Sequence, residues 1–376
     1  GAPRVAGEFT LGAHIRAVTA HTVSSRRETM LTRTSIDHIC NPATEPIPIS
    51  MLAHSRFHGA MPYFTERKPL MAHDDLILVT AATGNTGAPT VKILREAGRR
   101  VRALVHTADE RSEALAALGA EIVEGDLLDL HSVSSALAGV GAAYFCYPVF
   151  PGTLVLATTI FAQAASEAGV KAVVNMSQIS ARREAKSNAA QQHWLAERLL
   201  DRSAFITTHL RPTFFAEWLK SVWLRNDNDG VLQLPFGDGR HAPIAGSDQA
   251  KVIAAILQNP APHDRQIYPL YGPRELNHHE IAEQISDTLG IPVRYESFDI
   301  PTFDAAMAAN GRSDFFIQHL SHVAQDYRDG VFAGENNLVE VISGTKPLSV
   351  AQYVQANRAD FDHDGPFSLR KELPQH

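Results

Sequence analysis

The sequence predicts an α/β protein with a doubly wound parallel sheet and a smaller, mostly helical C-terminal lobe. Between residues 75 and 212, short β-branched segments alternate with helical segments of about ten to fifteen residues. A glycine turn joins the first strand to the first helix, and the alternation weakens after Pro212. Strands separated by such helices are connected by right-handed crossovers, which makes neighbouring strands parallel.

The alternating segments can be assigned in order from their residue types. Pro89 lies in the first turn of a helix, where its missing N–H costs nothing, and Gly119 closes the next helix. The predicted strands are 75–82, 99–106, 120–127, 142–147, 170–177 and 204–212, and the predicted helices are 88–97, 111–119, 131–140, 154–168 and 189–203. In the C-terminal part we expect helices at 213–224, 278–290, 313–328 and 348–361, and one more that Asp248 caps.

Three regions follow from this pattern: an N-terminal extension (1–70), the alternating domain (71–212) and the smaller lobe (213–376), which we expect to cover the carboxyl edge of the sheet. The extension is rich in Arg, Ser and Pro and carries eight basic against five acidic residues. It has no sustained apolar period, so we expect it to lie outside the core. An upstream or expression-derived segment, a targeting segment and a functional arm all remain open for it.

Composition excludes several functional classes. A formal net charge of −7 argues against a nucleic-acid binder that depends on phosphate contacts. Cys40 and Cys146 lie far apart, which indicates a reducing compartment, and the eighteen histidines show no metal-ligand spacing. No apolar run approaches the ~18 residues that a membrane span requires. We therefore expect a cytoplasmic protein with no metal, no membrane contact and no nucleic-acid partner.

The first strand, turn and helix read LILVTAATGNTGAPTVK over residues 76–92, close to the dinucleotide-binding fingerprint of a Rossmann-type domain. Gly84 and Gly87 occupy two of the three glycine positions, but Ala81 replaces the first. That replacement is tolerable if φ at Ala81 is negative, whereas a left-handed backbone costs ~1 kcal/mol or more. Thr83, Asn85 and Thr86 add polar groups beside the helix N-terminus, where anions bind.

The end of the second strand favours NADP(H), with NAD(H) possible. An NAD site places a carboxylate there for the ribose 2′-hydroxyl, but this strand ends in His106 and Thr107. These two residues and Arg111 could accept a 2′-phosphate, or they could be solvated loop residues. The pair Asp126–Leu127 follows the third strand, where the adenine lies.

Several segments resemble the NmrA-like branch of the atypical short-chain dehydrogenases. They are VTAATGNTG, EGDL, NMSQISA, QQHWLAERLL, THLRPTFFAEWL and LPFGDGRHAPIAGSDQAKVIAAIL, and the resemblance covers about residues 75–362. It implies binding of NADP(H) or NAD(H). Some family members reduce quinones, triphenylmethane dyes or phenylpropanoid double bonds, whereas others sense the nucleotide ratio and bind regulatory proteins.

The catalytic pair of ordinary short-chain dehydrogenases, Tyr-x-x-x-Lys, is absent, because none of the eight tyrosines has a lysine four residues later. Ser177 lies after the fifth strand, where the catalytic serine is expected. On the next helix His193 and Glu197 share one face, so the carboxylate could hold the imidazole in one tautomer for proton delivery near neutral pH. They could equally form an ordinary surface pair. Gln191 or Gln192 could bond the nicotinamide ribose.

An acceptor pocket is expected between the fourth strand and the segment after the sixth. Its apolar, aromatic walls would suit a flat ligand, although the aromatic residues could simply pack the second lobe onto the sheet. The expected pocket residues are Tyr147, Pro148, Val149, Phe150, Thr213, Phe214, Phe215 and Trp218. The expected cofactor contacts are Ala81, Thr83, Gly84, Asn85, Thr86, Gly87, His106, Thr107, Arg111, Asp126, Leu127, Tyr147, Ser177, Gln178 and Gln192.

The residues and the resemblance together predict an NADP(H)-dependent oxidoreductase. It would transfer hydride to a small flat electrophile such as a quinone, a dye or an activated aromatic, with Ser177, His193 and Glu197 as catalytic residues. The alternative is a non-catalytic NADP(H) sensor that acts through a protein partner. A carbon–carbon double-bond reductase is a third possibility, but the lysine expected for it is missing. A homodimer is compatible with either main interpretation.

Overall fold

The computed structural model describes residues 76–149 and 152–366, which belong to one compact unit. The predictions for residues 1–70 and for Phe150 fall outside the described residues. Within the described ranges, no helix has both the length and the apolar character needed to cross a membrane.

The predicted parallel sheet is confirmed, and it has seven strands. They are β1 (Leu76–Val79), β2 (Arg100–Val105), β3 (Glu121–Glu124), β4 (Val140–Phe145), β5 (Ala172–Met176), β6 (Ile206–Pro212) and β10 (Ile267–Leu270). Their order across the sheet is β10-β6-β5-β4-β1-β2-β3, and every neighbouring pair is parallel. The order reverses between β1 and β4, so this is the point where an open α/β sheet binds its ligand.

Helices cover both faces of the sheet because its central strands are apolar on both sides. In β1, Ile77 and Val79 face one core and Leu78 faces the other, as the two-residue period of a strand requires. The helices between the strands are α1 (Gly87–Glu96), α2 (Glu110–Ala117), α3 (Leu130–Leu137), α4 (Leu154–Glu167) and α5 (Asn188–Leu200). Each lies within a few residues of its predicted position.

The chain after Pro212 is mostly helical, as predicted, but it also contains strands that the sequence did not predict, and it is only partly separate from the sheet. It contains α6 (Glu217–Ser221), β7 (Trp223–Arg225), β8 (Gly230–Leu234), β9 (Arg240–His241), α7 (Gly246–Gln258), β11 (Leu276–Asn277), α8 (His278–Leu289), β12 (Val293–Ser297), α9 (Ile300–Ala309), α10 (Asp314–Arg328), α11 (Leu338–Ser343) and α12 (Val350–Ala356). Strand β10 extends the main sheet beside β6, and α7 packs against α1. The domain division at residue 212 therefore stays a prediction.

Two local predictions in this part are wrong. The segment 213–224 is not one helix, because β7 pairs with β8 and buries Trp223 completely. Asp248 does not cap α7, which begins two residues earlier at Gly246. The carboxylate of Glu217 accepts the Gly246 N–H at 2.9 Å instead, and Asp248 accepts the backbone N–H of Leu348 at 2.7 Å. The bond at the start of α7 therefore comes from a residue distant in sequence.

A second hydrophobic core includes Leu232 and Leu234 of β8, and two buried histidines lie among its aromatic rings. The rings of His241 and His278 stack with centroids 5.4 Å apart, and Phe236 stacks on Tyr327 at 4.3 Å. Neither ring nitrogen of His278 has a hydrogen-bond partner among the described residues. Burial, and then the charge of His279, lower the pKa of His278 to about 3. His278 is also the first residue of α8, where the helix dipole disfavours a cation.

We predict that His278→Phe makes the protein less sensitive to acid. Folded His278 stays neutral down to about pH 3, whereas an unfolded histidine binds a proton below about pH 6.5. Stability is therefore lost as pH falls from 6.5, by ~2 kcal/mol at pH 5 for one such residue. Denaturant unfolding of the wild type and of His278→Phe at pH 7 and pH 5 measures this difference. The same substitution at exposed His131 is the control, and an unchanged acid loss in His278→Phe would contradict the prediction.

Candidate functional site

Two cavities meet at the carboxyl edge of the sheet, where the strand order reverses. The glycine-loop cavity, of about 420 Å³, lies beside the turn between β1 and α1. The α10 cavity, of about 320 Å³, lies between the ends of β4 to β6 and helix α10. Cys146, Tyr147 and Pro148 line both cavities. A ligand that fills the first cavity would therefore adjoin a ligand in the second.

The glycine loop takes the more costly of the two expected conformations. Ala81 has φ +46°, in the left-handed region that favours glycine. Its carbonyl accepts the N–H of Gly84 at 2.9 Å and closes the turn. A Cβ added to Gly87 would lie 2.2 Å from the same carbonyl oxygen, so this position requires glycine. The loop is therefore tightly wound against the start of α1, and Ala81, Ala82 and Thr83 are the loop residues that line the glycine-loop cavity.

Buried hydroxyl groups tie this loop to β4. The hydroxyls of Thr86 and Tyr144 are 2.8 Å apart, and Thr80 Oγ1 accepts the Cys146 N–H at 2.8 Å and donates to the Cys146 carbonyl at 3.0 Å. These contacts hold the shared wall of the two cavities against the loop. Thr83 lines the glycine-loop cavity, whereas Asn85 is exposed.

The expected cofactor contacts beyond the loop divide into two groups. His106, Asp126 and Leu127 line the glycine-loop cavity. Thr107 and Arg111 are exposed and do not line it, and the Arg111 guanidinium donates to Asp109 at 2.8 Å. Asp109 is the N-cap residue of α2, so this hydrogen bond keeps the Arg111 side chain at the start of its own helix.

The α10 cavity is lined by most of the expected pocket and catalytic residues. These are Tyr147, Pro148, Val149, Ser177, Gln178, His193, Thr213, Phe214, Phe215 and Trp218. No Asp, Glu, Lys or Arg is among its described lining residues. The cavity is therefore neutral, with aromatic walls and a few polar groups, as is typical of sites for flat organic ligands.

Ser177 belongs to a buried network with Glu197 and Arg211. The Ser177 hydroxyl donates to Glu197 Oε1 at 2.6 Å, and Arg211 Nε donates to the same carboxylate at 2.8 Å. Glu197 is completely buried. Because the only proton of Ser177 is committed to Glu197, Ser177 offers lone pairs to the cavity and accepts hydrogen bonds from a ligand.

His193 lines the cavity but does not pair with Glu197, which is bonded to Ser177 and Arg211 instead. Its pKa is lowered to about 3 by burial, and further by the charges of His319 and Arg211. The imidazole is therefore neutral near pH 7, and this arrangement does not support proton delivery by an imidazolium. Gln192 lines neither cavity, and Gln191 donates to the Ala185 carbonyl at 2.8 Å.

Helix α10 supplies a wall that the sequence interpretation missed. Phe316, Leu320 and Val323 line the cavity from one helix face, and His319 lies among them. Their spacing of four and three residues is the only sequence signal, and it also fits an ordinary buried helix face. Phe332, after α10, completes this wall.

Among the described residues, no group of three or more His, Cys, Asp or Glu side chains could hold a metal ion.

Comparison with known proteins agrees with the fold and the loop. Residues 73–330 match the NmrA-like family. The chain belongs to this family. It is 28% identical to an NAD(P)H azoreductase of Xenophilus azovorans, over 76% of this chain and 99% of that protein.

Two solved structures have a similar fold. An NADPH-dependent quinone oxidoreductase of Escherichia coli complexed with NADPH superposes with a TM-score of 0.66 at 23% identity, over 75% of this chain and 99% of that one. NmrA, a negative transcriptional regulator, in complex with NADP superposes with a TM-score of 0.62 at 16% identity, over 75% of this chain and 95% of that one.

We predict that Ala81→Gly stabilises the protein. Glycine adopts φ +46° without strain, so the free energy of unfolding should rise by up to ~1 kcal/mol, after the extra entropy of an unfolded glycine is subtracted. Ala82→Gly is the matched control, because Ala82 is completely buried and has no positive φ. That control should lose about 1 kcal/mol, because glycine has more conformational freedom to lose on folding than alanine. Denaturant unfolding measures both, and a loss of stability in Ala81→Gly would contradict the strain at Ala81.

Proposed function

We propose that this chain is an NADP(H)-dependent oxidoreductase whose acceptor is a small, flat, uncharged electrophile such as a quinone or a neutral dye. The observation that carries the proposal is the shared wall, Cys146 to Pro148, between the glycine-loop cavity and the neutral aromatic cavity. A dinucleotide in the first cavity would place its far end beside a ligand in the second. NADPH supplies a hydride when bound, and contact between the two ligands is what its transfer requires.

The residues of the first cavity fit a dinucleotide. The tight turn at Ala81 and the close packing at Gly87 let the backbone approach a pyrophosphate at the N-terminus of α1. Asp126 and Leu127 line the end where adenine would bind. The azoreductase and the quinone oxidoreductase, both named for NAD(P)H or NADPH, support the same cofactor.

The second cavity supports an uncharged aromatic acceptor. Phe214 and Trp218 stack with centroids 5.2 Å apart, and both line the cavity. With no charged side chain among its described lining, the cavity offers no counter-ion to a charged ligand. An electrophilic acceptor needs little acid catalysis, so the neutral His193 and the missing Tyr-x-x-x-Lys pair are compatible with turnover.

A second candidate is an NADP(H) sensor that regulates a protein partner without turnover. The absent Tyr-x-x-x-Lys pair and the structural likeness to a transcriptional regulator favour it. The α10 cavity, which adjoins the glycine-loop cavity and could hold an acceptor, favours the enzyme.

We predict that the protein oxidises NADPH when a quinone or an azo dye is added. Loss of the reduced-nicotinamide absorbance over a panel of acceptors measures this. Gly87→Ala should abolish both NADPH binding and turnover, because its Cβ would lie 2.2 Å from the Ala81 carbonyl oxygen. Gly139→Ala, which strains the backbone at φ +72° but lies outside both described cavity linings, is the control for lost stability and should retain both. Tight NADPH binding without oxidation across the panel would assign the chain to the sensor class instead.

We predict that His106→Asp shifts cofactor preference from NADPH toward NADH. A carboxylate at this strand tip would bond the ribose hydroxyls of NADH and repel the 2′-phosphate of NADPH. The ratio of kcat/KM for NADPH over NADH should fall by about tenfold or more, equivalent to ~1.4 kcal/mol. Thr107→Asp adds the same charge one residue later, outside the described cavity lining, and should change the ratio less. Equal ratios in the two variants would remove His106 from the cofactor site.

A further inference from the structure

The α10 cavity contains polar atoms that have no hydrogen-bond partner. Thr213 is 2% exposed and Gln178 is half-buried, and within residues 76–149 and 152–366 neither Thr213 Oγ1 nor Gln178 Nε2 is bonded. Both residues line the cavity. A buried donor without a partner costs about 1–3 kcal/mol, so these groups favour a ligand that carries hydrogen-bond acceptors.

His319 adds a donor whose orientation is set by the fold. It is 8% exposed, lines the cavity, and its Nδ1 lies 2.8 Å from Ser187 Oγ. Ser187 caps α5, so its oxygen accepts the Ala190 N–H at 3.1 Å. The fully buried Ser187 hydroxyl must donate its proton elsewhere, and His319 Nδ1 is the acceptor that the described residues offer. Nδ1 therefore accepts, and Nε2 carries the ring proton.

The ring of His319 is neutral and held in place, unlike that of His193. Burial lowers the pKa of His319 to about 4, against an opposing effect of Asp326 and a further lowering by His322. The described residues provide no hydrogen bond to His193, so of the two histidines that line this cavity His319 is the one with a fixed tautomer. A neutral N–H among apolar side chains is a strong hydrogen-bond donor to a developing negative charge.

Resting on the proposed function, we propose that His319 donates its Nε2–H to a carbonyl oxygen of a bound quinone and stabilises the negative charge that builds there. Ser187 is the positioning residue that holds the imidazole in this tautomer. The quinone class is favoured over a cationic dye because the cavity offers neutral donors and no carboxylate among its described lining residues.

The chemistry balances without proton transfer from the histidine. The quinone takes up one hydride from NADPH, that is one proton and two electrons, and becomes a hydroquinone monoanion. His319 keeps its proton and hydrogen-bonds the anionic oxygen. Solvent then supplies the single proton that completes the hydroquinone. A cationic triphenylmethane dye instead becomes neutral when its central carbon takes up the hydride, and no anionic oxygen forms.

The test compares two acceptors in matched variants. His319→Phe keeps a ring but removes the donor, and should lower kcat/KM for a 1,4-naphthoquinone by about a hundredfold. Its affinity for NADPH should stay within about threefold, and so should its kcat/KM for a triphenylmethane dye where the wild type reduces one, since no oxyanion forms on the dye. If the wild type reduces the quinone but not the dye, recovery of quinone activity in His319→Gln decides the role of His319. His319→Gln places an N–H near the former Nε2 and should restore most of the quinone activity. Ser187→Ala should reduce only the quinone reaction, by a smaller factor.

His322→Phe is the control, because His322 lies on the same helix and does not line the cavity. Losses of equal size with both acceptors in His319→Phe, or no rescue by His319→Gln, would overturn the role of His319. Turnover of the dye but not of the quinone by the wild type would also overturn it, while leaving the proposed oxidoreductase intact.

A binding measurement separates this inference from the proposed function. Quenching of tryptophan fluorescence by the naphthoquinone reports occupancy, since Trp218 lines the cavity. If the wild type turns over neither acceptor, the proposed function fails. The donor role of His319 is then supported if His319→Phe, but not His322→Phe, weakens quinone binding to the NADPH-bound protein. Equal affinities in the two variants would overturn it.

Discussion

The carboxylate of Glu197 is completely buried and receives hydrogen bonds from Ser177, after β5, and from Arg211, near the end of β6. Removing Arg211 would leave this buried charge without its ion-pair partner, which costs about 3–5 kcal/mol. The network therefore fixes α5 against the ends of two neighbouring strands, β5 and β6. His193, one turn earlier on α5, is thereby held in the cavity wall, and the hydroxyl of Ser177 is left with only its lone pairs for a ligand.

A second set of contacts joins α10 to the loop that precedes α5. Arg182 donates two hydrogen bonds to Asp326, at 2.8 and 2.5 Å, and Ser187 bonds His319 at 2.8 Å. These contacts hold the α10 wall of the cavity, whose residues lie more than 130 positions after the loop in sequence. Arg182 and Asp326 are thereby paired with each other outside the described cavity lining. The α10 cavity is therefore lined by neutral groups. The proposed uncharged acceptor and the proposed role of His319 both depend on this neutrality.

Local sequence patterns predicted the first half of the fold well, because each strand and helix up to Pro212 is specified by its own period and turn residues. The same patterns located the glycine loop, His106 and Asp126, since parallel strands end at one edge of the sheet. After Pro212 they were less informative. Strands β8 and β12 pair with each other across more than fifty residues, and α7 is capped by Glu217 from another helix rather than by Asp248.

The sequence by itself determined the parallel sheet, the glycine turn and the absence of a Tyr-x-x-x-Lys pair, because these depend on the order of neighbouring residues. Only the tertiary structure decided which groups meet at the site. The spacing of His193 and Glu197 suggested a pair, but Arg211 and Ser177 compete for the carboxylate and a buried charge binds the partners that satisfy it best. His319 is one of eighteen histidines in the sequence. Its position in the cavity follows from the packing of α10, which no local pattern encodes.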